Sequence, residues 1–155
     1  LAASGYYSQL AASGYYSKLA ASGYYSKLAA SGNSSQLAAS GHYSKLAASG
    51  YSSQLAASGH YSQLAASGNS SQLAASGYYS KLAASGHYSV VAGVGVNNIA
   101  KAVKGCWITL AEWKYDSEKE TTIPVCVKTE YVDGKRIKEN VFYKLKNGEF
   151  TEVEE

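Results

Sequence analysis

Leu1-Ala2-Ala3-Ser4-Gly5-Tyr6-Tyr7-Ser8-Gln9 is followed without a break by Leu10-Ala11-Ala12-Ser13-Gly14-Tyr15-Tyr16-Ser17-Lys18, and the same nonapeptide recurs ten times to position 90. Every copy opens Leu-Ala-Ala-Ser-Gly and continues with two variable positions, an invariant Ser and a final Gln, Lys or, once, Val. A fixed period this short signals a stacked architecture in which each unit buries its apolar face only against its neighbours. Helix is excluded, because Ser-Gly interrupts every ninth residue and the apolar positions do not recur at three and four. Gly, Ser and Ala with few aliphatics also resembles a disordered composition. Against disorder stand a spacing that never slips and a Leu in the same phase each time. The fold class expected is therefore all-β, a parallel β-solenoid.

Within one copy, Ser8-Gln9-Leu10-Ala11-Ala12 alternates with strand period. Ser8, Leu10 and Ala12 should face inward, and Gln9 and Ala11 outward. Gly14 is expected at the corner, for a positive φ or a close backbone approach. The inward Ser needs a partner, either a corner backbone group or the Ser of the next coil. Nine residues make one strand and one corner, so two copies should make one flattened coil of eighteen residues. Parity supports this. Odd copies carry Tyr7, Tyr25, Tyr43, Tyr61 and Tyr79 at the second variable position, whereas Ser34, Ser52 and Ser70 fall only in even copies. Ten copies would then give five coils, a rod roughly 24 Å long at a strand spacing of about 4.8 Å.

After Ser89 the repeat decays into Val90-Val91-Ala92-Gly93-Val94-Gly95, and the glycine expected at 104 arrives one residue late as Gly105. Residues 91–105 read as a terminal coil and transition. Residues 106–155 read as a small antiparallel β cap, because Trp107–Trp113, Ile123–Tyr131 and Val141–Leu145 alternate as strands. Asp133-Gly134 and Asn147-Gly148 are hairpin signals. Trp107, Trp113, Phe142 and Phe150 are expected on the cap's apolar face. Residues 116–120 read as a charged exposed turn, and Glu152, Glu154 and Glu155 as a solvated edge. A cap meets a physical need, since a solenoid end is an open row of backbone donors and acceptors above a bare core.

The array resembles other short-repeat solenoids. Its length is similar to that of the calcium-binding β-roll, but no Asp or Glu precedes Glu112, so the repeats offer no carboxylate to a hard cation. Its Ser-x-x-Ala-x-x-Gly texture is similar to the coiled heads of trimeric bacterial adhesins, whose repeat is longer. It most resembles uncharacterised bacterial and phage-associated proteins with Ser-x-x-Ala-Ala-x-Ser-Gly nonapeptides and a short terminal domain. The residues carrying that likeness include Gly105-Cys106-Trp107, Leu110-Ala111-Glu112-Trp113, Val132-Asp133-Gly134 and Phe142-Tyr143-Lys144-Leu145. The resemblance implies a solenoid with a cap, and it implies no activity or site residues.

Composition narrows function further. Residues 1–90 carry four Lys and no acid; residues 91–155 carry ten Lys plus Arg against eleven acids, for the net charge of +3. Four Lys over ninety residues are too sparse for a nucleic-acid track. No apolar run is long enough for a transmembrane helix. The chain opens in register at Leu1, which reads as a processed product or part of a longer array. Cys106 and Cys126 could be free thiols or a disulfide, which spacing does not decide. No nucleophile with a base and orienting group is apparent, so no enzyme and no cofactor are expected.

His42 and His60, eighteen residues apart, should stack on adjacent rungs. Two imidazoles alone make a poor metal site. Fifteen Tyr are more than a thin core can bury. Tyr7, Tyr25, Tyr43, Tyr61, Tyr79, His42 and His60 are thus candidates for a surface ladder. It would either stiffen the rod by stacking or present a sticky edge to a glycan or protein. The function expected is a fibre, stalk or adhesin-like spacer of a bacterial surface or phage particle, in an extracellular, cell-surface or virion setting. Self-association through the N-terminal coil is a further expectation. The alternative is ice binding by a regular solenoid face.

Overall fold

A computed structural model describes residues 1–155, and every regular element in it is a strand. The repeats supply β1 (Ala2–Ala3), β2 (Gln9–Ala12), β3 (Lys18–Ala21), β4 (Lys27–Ala30), β5 (Gln36–Ala39), β6 (Lys45–Ala48), β7 (Gln54–Ala57), β8 (Gln63–Ala66), β9 (Gln72–Ala75) and β10 (Lys81–Ala84). Beyond them lie β11 (Val90–Gly93), β12 (Ile99–Lys101), β13 (Trp107–Asp116), β14 (Thr121–Tyr131), β15 (Phe142–Lys146) and β16 (Glu149–Val153). Odd strands β1 to β13 form one parallel sheet, sheet A, which ends in antiparallel β14; even strands β2 to β12 form sheet B, which ends in antiparallel β15 and β16. Each repeat strand pairs with the one eighteen residues on, as in Leu28 with Leu46. Two nonapeptides therefore make one coil, and the solenoid has about six turns.

The alternation falls as the sequence indicates. Leu28 and Ala30 of β4 point inward, and Lys27 and Ala29 point out. The core is a thin slab of facing Leu and Ala columns. Each inward Ser is buried from Ser26 on, and in all of them but Ser80 the hydroxyl donates to the carbonyl of the Gly three residues earlier, as Ser53 does to Gly50 at 2.9 Å. In the upper rungs the same hydroxyl also accepts from the Ser amide below, Ser71 N–H to Ser89 Oγ at 3.1 Å. The column closes on different chemistry at each corner. Asn98 takes the Ser80 amide on one side, and the buried thiol of Cys106 lies 3.4 Å from the Ser89 nitrogen on the other. Cys106 and Cys126 are both free.

The repeat glycine sits at the corner for close approach alone. A Cβ on Gly59 would run into the carbonyl of Gly41 on the rung below. The left-handed residue is instead the second variable one, with φ of 58° at Tyr7, 58° at Ser34 and 58° at Tyr43. The positive-φ half of the glycine expectation is thus corrected. Gly105 is also reassigned. Val90 pairs with Trp107, seventeen residues on, so the last coil has lost one residue. Gly105, with φ 94°, takes the left-handed place that Tyr88 holds one rung below.

The C-terminal segment is two hairpins, each grown from one of the solenoid's sheets. β13 pairs with β11 in parallel and with β14 in antiparallel, while β15 pairs with β12 and β16. This changes the apolar face expected from sequence. Pairing in register puts Trp107 above Val90 on the outside, 48% exposed and tilted against Tyr131. The buried side chains here are Ile108, Leu110, Val132, Ile137, Tyr143 and Leu145; Phe142 is also buried, beneath the Lys101 ammonium. Trp113 is half-buried, and its indole N–H donates to Val94 O.

Asn147-Gly148 does turn β15 into β16, with φ of 52° and 74°. Asp133-Gly134 does not join strands in a tight hairpin. Asp133 Oδ1 accepts the amides of Lys135 and Ile137 and folds a loop between β14 and β15. The β13–β14 turn is the charged 116–120 segment, where Asp116 accepts from the Glu118 and Lys119 amides. One carboxylate joins the hairpins: Glu112, opposite the point where β14 bulges by one residue at Val125, accepts the Asn147 and Gly148 amides at 2.9 Å each. Those donors hold its carboxyl below the usual glutamate range. Glu130 is lowered likewise, first by the hydrogen bond from Arg136. β16 is an outer edge, with Glu152 paired to Lys138 and Glu155 to Lys101.

Candidate functional site

Because a coil takes two nonapeptides, the rod has two corner edges of different composition. On the odd-copy edge the second variable position forms one unbroken column, Tyr7, Tyr25, Tyr43, Tyr61 and Tyr79. Successive rings lie 5.2, 4.9, 5.1 and 5.2 Å apart with planes within about 11° of parallel. Beside it runs a second column from the first variable position, Tyr6, Tyr24, His42, His60 and Tyr78. Its His42–His60 and His60–Tyr78 steps are stacked at 4.6 and 4.5 Å. All seven residues singled out in the sequence thus share one edge. Tyr6, Tyr24 and Tyr78 belong with them and were missed, although the same parity at the first variable position would have found them. The even-copy edge is mixed, with Tyr15, Asn33, Tyr51, Asn69 and His87 in one column and Tyr16, Ser34, Ser52, Ser70 and Tyr88 in the other.

The tyrosines of the Tyr7–Tyr79 column occupy a backbone state that side chains disfavour. Left-handed φ costs a residue with a Cβ about 1–2 kcal/mol, and Gly or Asn ordinarily fills it. The two corners beyond the repeats do use Asn97 and Gly105. All ten repeats use Tyr or Ser instead. Turn geometry therefore does not select tyrosine; stacking and surface presentation remain as reasons. The rings are well exposed, 42% for Tyr43 in mid-column. Their faces cover one another, so the column offers ring edges and hydroxyls to solvent.

The column running from Tyr6 to Tyr78 has a further role where it is not Tyr. The His60 amide donates to His42 Nδ1 at 2.8 Å, and the Tyr78 amide to His60 Nδ1 at 2.9 Å. On the other edge Asn33 Oδ1 takes the Tyr51 amide and Asn69 Oδ1 the His87 amide. His and Asn thus tie one rung to the next through a corner amide. His87 differs, with Nδ1 3.2 Å from the carbonyl of Lys104. Nowhere do three His, Cys, Asp or Glu side chains gather as a metal cage. Next to the aromatic edge, the end of sheet A forms a groove of about 680 Å3 lined by alanines and by a Ser column that includes Ser22, Ser40 and Ser58.

No family model matches the chain, and no curated protein or solved structure matches it either.

Proposed function

We propose that the protein is a non-enzymatic rigid spacer, a fibre or stalk element of a bacterial surface or phage particle, that presents its odd-copy edge to a glycan or protein surface. The observation that carries this reading is the Tyr7–Tyr79 column. It is repeated, exposed and kept at a left-handed position where tyrosine is the costlier choice. A ladder of this kind favours an extended ligand with a repeat near the strand spacing, since each rung offers the same groups at the same height. The adjoining Ser and Ala groove adds hydroxyls and methyls in the same period.

The decisive experiment is a glycan-array and cell-binding comparison of the wild type with Tyr25→Ser/Tyr43→Ser/Tyr61→Ser. The backbone tolerates this change, because Ser34, Ser52 and Ser70 hold the same φ. Loss of binding supports the presenting edge; unchanged binding leaves the spacer role alone.

The unbroken tyrosine column also favours a second reading, ice binding by a regular rung array. Thermal hysteresis of the purified protein tests it, and freezing without hysteresis removes it. Self-association is proposed through the N-terminal rung, where Leu10 and Ala12 are only partly covered. A strictly monomeric mass by light scattering at high concentration would count against it.

A further inference from the structure

We infer that the His42–His60 pair makes the aromatic edge acid-sensitive: imidazole protonation releases the rung above, while the Asn-tied edge stays closed. A backbone amide can only donate, so a ring nitrogen that receives one must carry a lone pair. His42 Nδ1 and His60 Nδ1 both receive amides, which places the proton of each neutral ring on Nε2. Adding a second proton turns Nδ1 into a donor facing a donor. The His60 and Tyr78 amides then have no acceptor, and two cationic rings face each other at 4.6 Å.

Nothing nearby offsets that charge. The column neighbours are the phenols of Tyr24 and Tyr78, and the adjacent column contributes those of Tyr25, Tyr43 and Tyr61. Among the strands flanking the pair, β5, β6, β7 and β8, the only charged residue is Lys45, and β4 of the coil beneath adds Lys27. No carboxylate side chain occurs before Glu112.

The protein carries its own controls. Asn33 and Asn69 make the same rung-to-rung tie with an amide oxygen that does not titrate in this range. His87 makes the opposite use of its ring. Facing the Lys104 carbonyl, its Nδ1 must be the donor, a bond that survives protonation. The same residue type is thus acid-labile at two rungs and acid-tolerant at a third.

The test is NMR on the full chain. Long-range nitrogen–proton correlation near pH 8 should show His42 and His60 in the Nε2–H tautomer and His87 in the Nδ1–H tautomer. On acidification from about pH 8 to about pH 5, amide-exchange protection at His60 and Tyr78 should fall about three- to tenfold, the loss of one hydrogen bond. Protection at Tyr51 and His87 should hold. In His42→Asn/His60→Asn, which copies the even edge, the acid response should vanish. Equal responses at all four amides, one shared tautomer for the three rings, or an acid response that persists in the double variant would each overturn the inference.

Discussion

The repeats and the C-terminal hairpins are continuous sheets held together in different ways. In the repeats every contact recurs each eighteen residues: Leu on Leu, Ser hydroxyl to Gly carbonyl, Gly over Gly. In the hairpins each contact occurs once, as with Glu112 on the 147–148 turn, Arg136 on Glu130 and the Trp113 indole on Val94. A periodic structure spreads its stability over many equal rungs. A cap concentrates it in a few directional bonds. Damage should accordingly be steric and propagating in the first region, polar and local in the second.

The largest effect expected is from Gly59→Ala. The new methyl meets the Gly41 carbonyl, and rung spacing cannot widen without breaking the ladder, so a loss of about 3 kcal/mol is expected in chemical denaturation. Gly14→Ala should be almost silent, because its Cβ would find only Ser17 Oγ at 3.6 Å. If the two variants proved equally unstable, close approach would not be the reason for the repeat glycine.

Glu112→Gln tests the other region. It should weaken the tie between the hairpins and raise amide exchange at Asn147 and Gly148 several-fold, leaving the Tyr51 and Ser53 amides of the repeats unchanged. Acid should act in the same place. Glu112 and Glu130 have carboxyls lowered in the folded state, so the unfolded chain takes up protons first as pH falls. Their contribution is complete above the ordinary glutamate range, near pH 5, and is lost as pH falls through the folded values. A pH series of melting curves should therefore show the cap loosening below about pH 4.

Ser53→Ala, which deletes one of many equivalent corner bonds, should cost about 1 kcal/mol. Tyr43→Ser should cost a comparable amount, and less than its two exposed stacks, worth about 0.5–1.5 kcal/mol each when fully packed, because it puts in a residue the position already accepts. A large loss there would make stiffening, and not presentation, the main task of the column.

The same contrast explains what could be read in advance. Phase made the repeats legible. The Leu and Ala alternation, the eighteen-residue coil, the inward Ser with its backbone partner and the ladder from Tyr7 to Tyr79 all follow from recurrence. The left-handed residue was misplaced because glycine preference, sound as a rule, did not apply where Gly is needed for its missing Cβ. Trp107 was misplaced because the face of a strand depends on its partner, and β13 pairs with β11 one residue out of the eighteen-residue phase. Asp133-Gly134 has the letters of a hairpin, but its carboxylate is satisfied within its own loop. The acceptor role of His42 depends on a ring rotation that no sequence records.

The two-copy coil also sets rules for how such a chain can lengthen. Inserting eighteen residues adds one rung and leaves every column, edge and hairpin where it was. Inserting nine shifts all that follows by half a turn. The downstream tyrosines of the odd edge would then continue the mixed edge, and the β13–β14 hairpin would grow from the other sheet. Copy number in this array is therefore quantised in pairs, and a single-unit slip alters the pattern of the surface as well as its length.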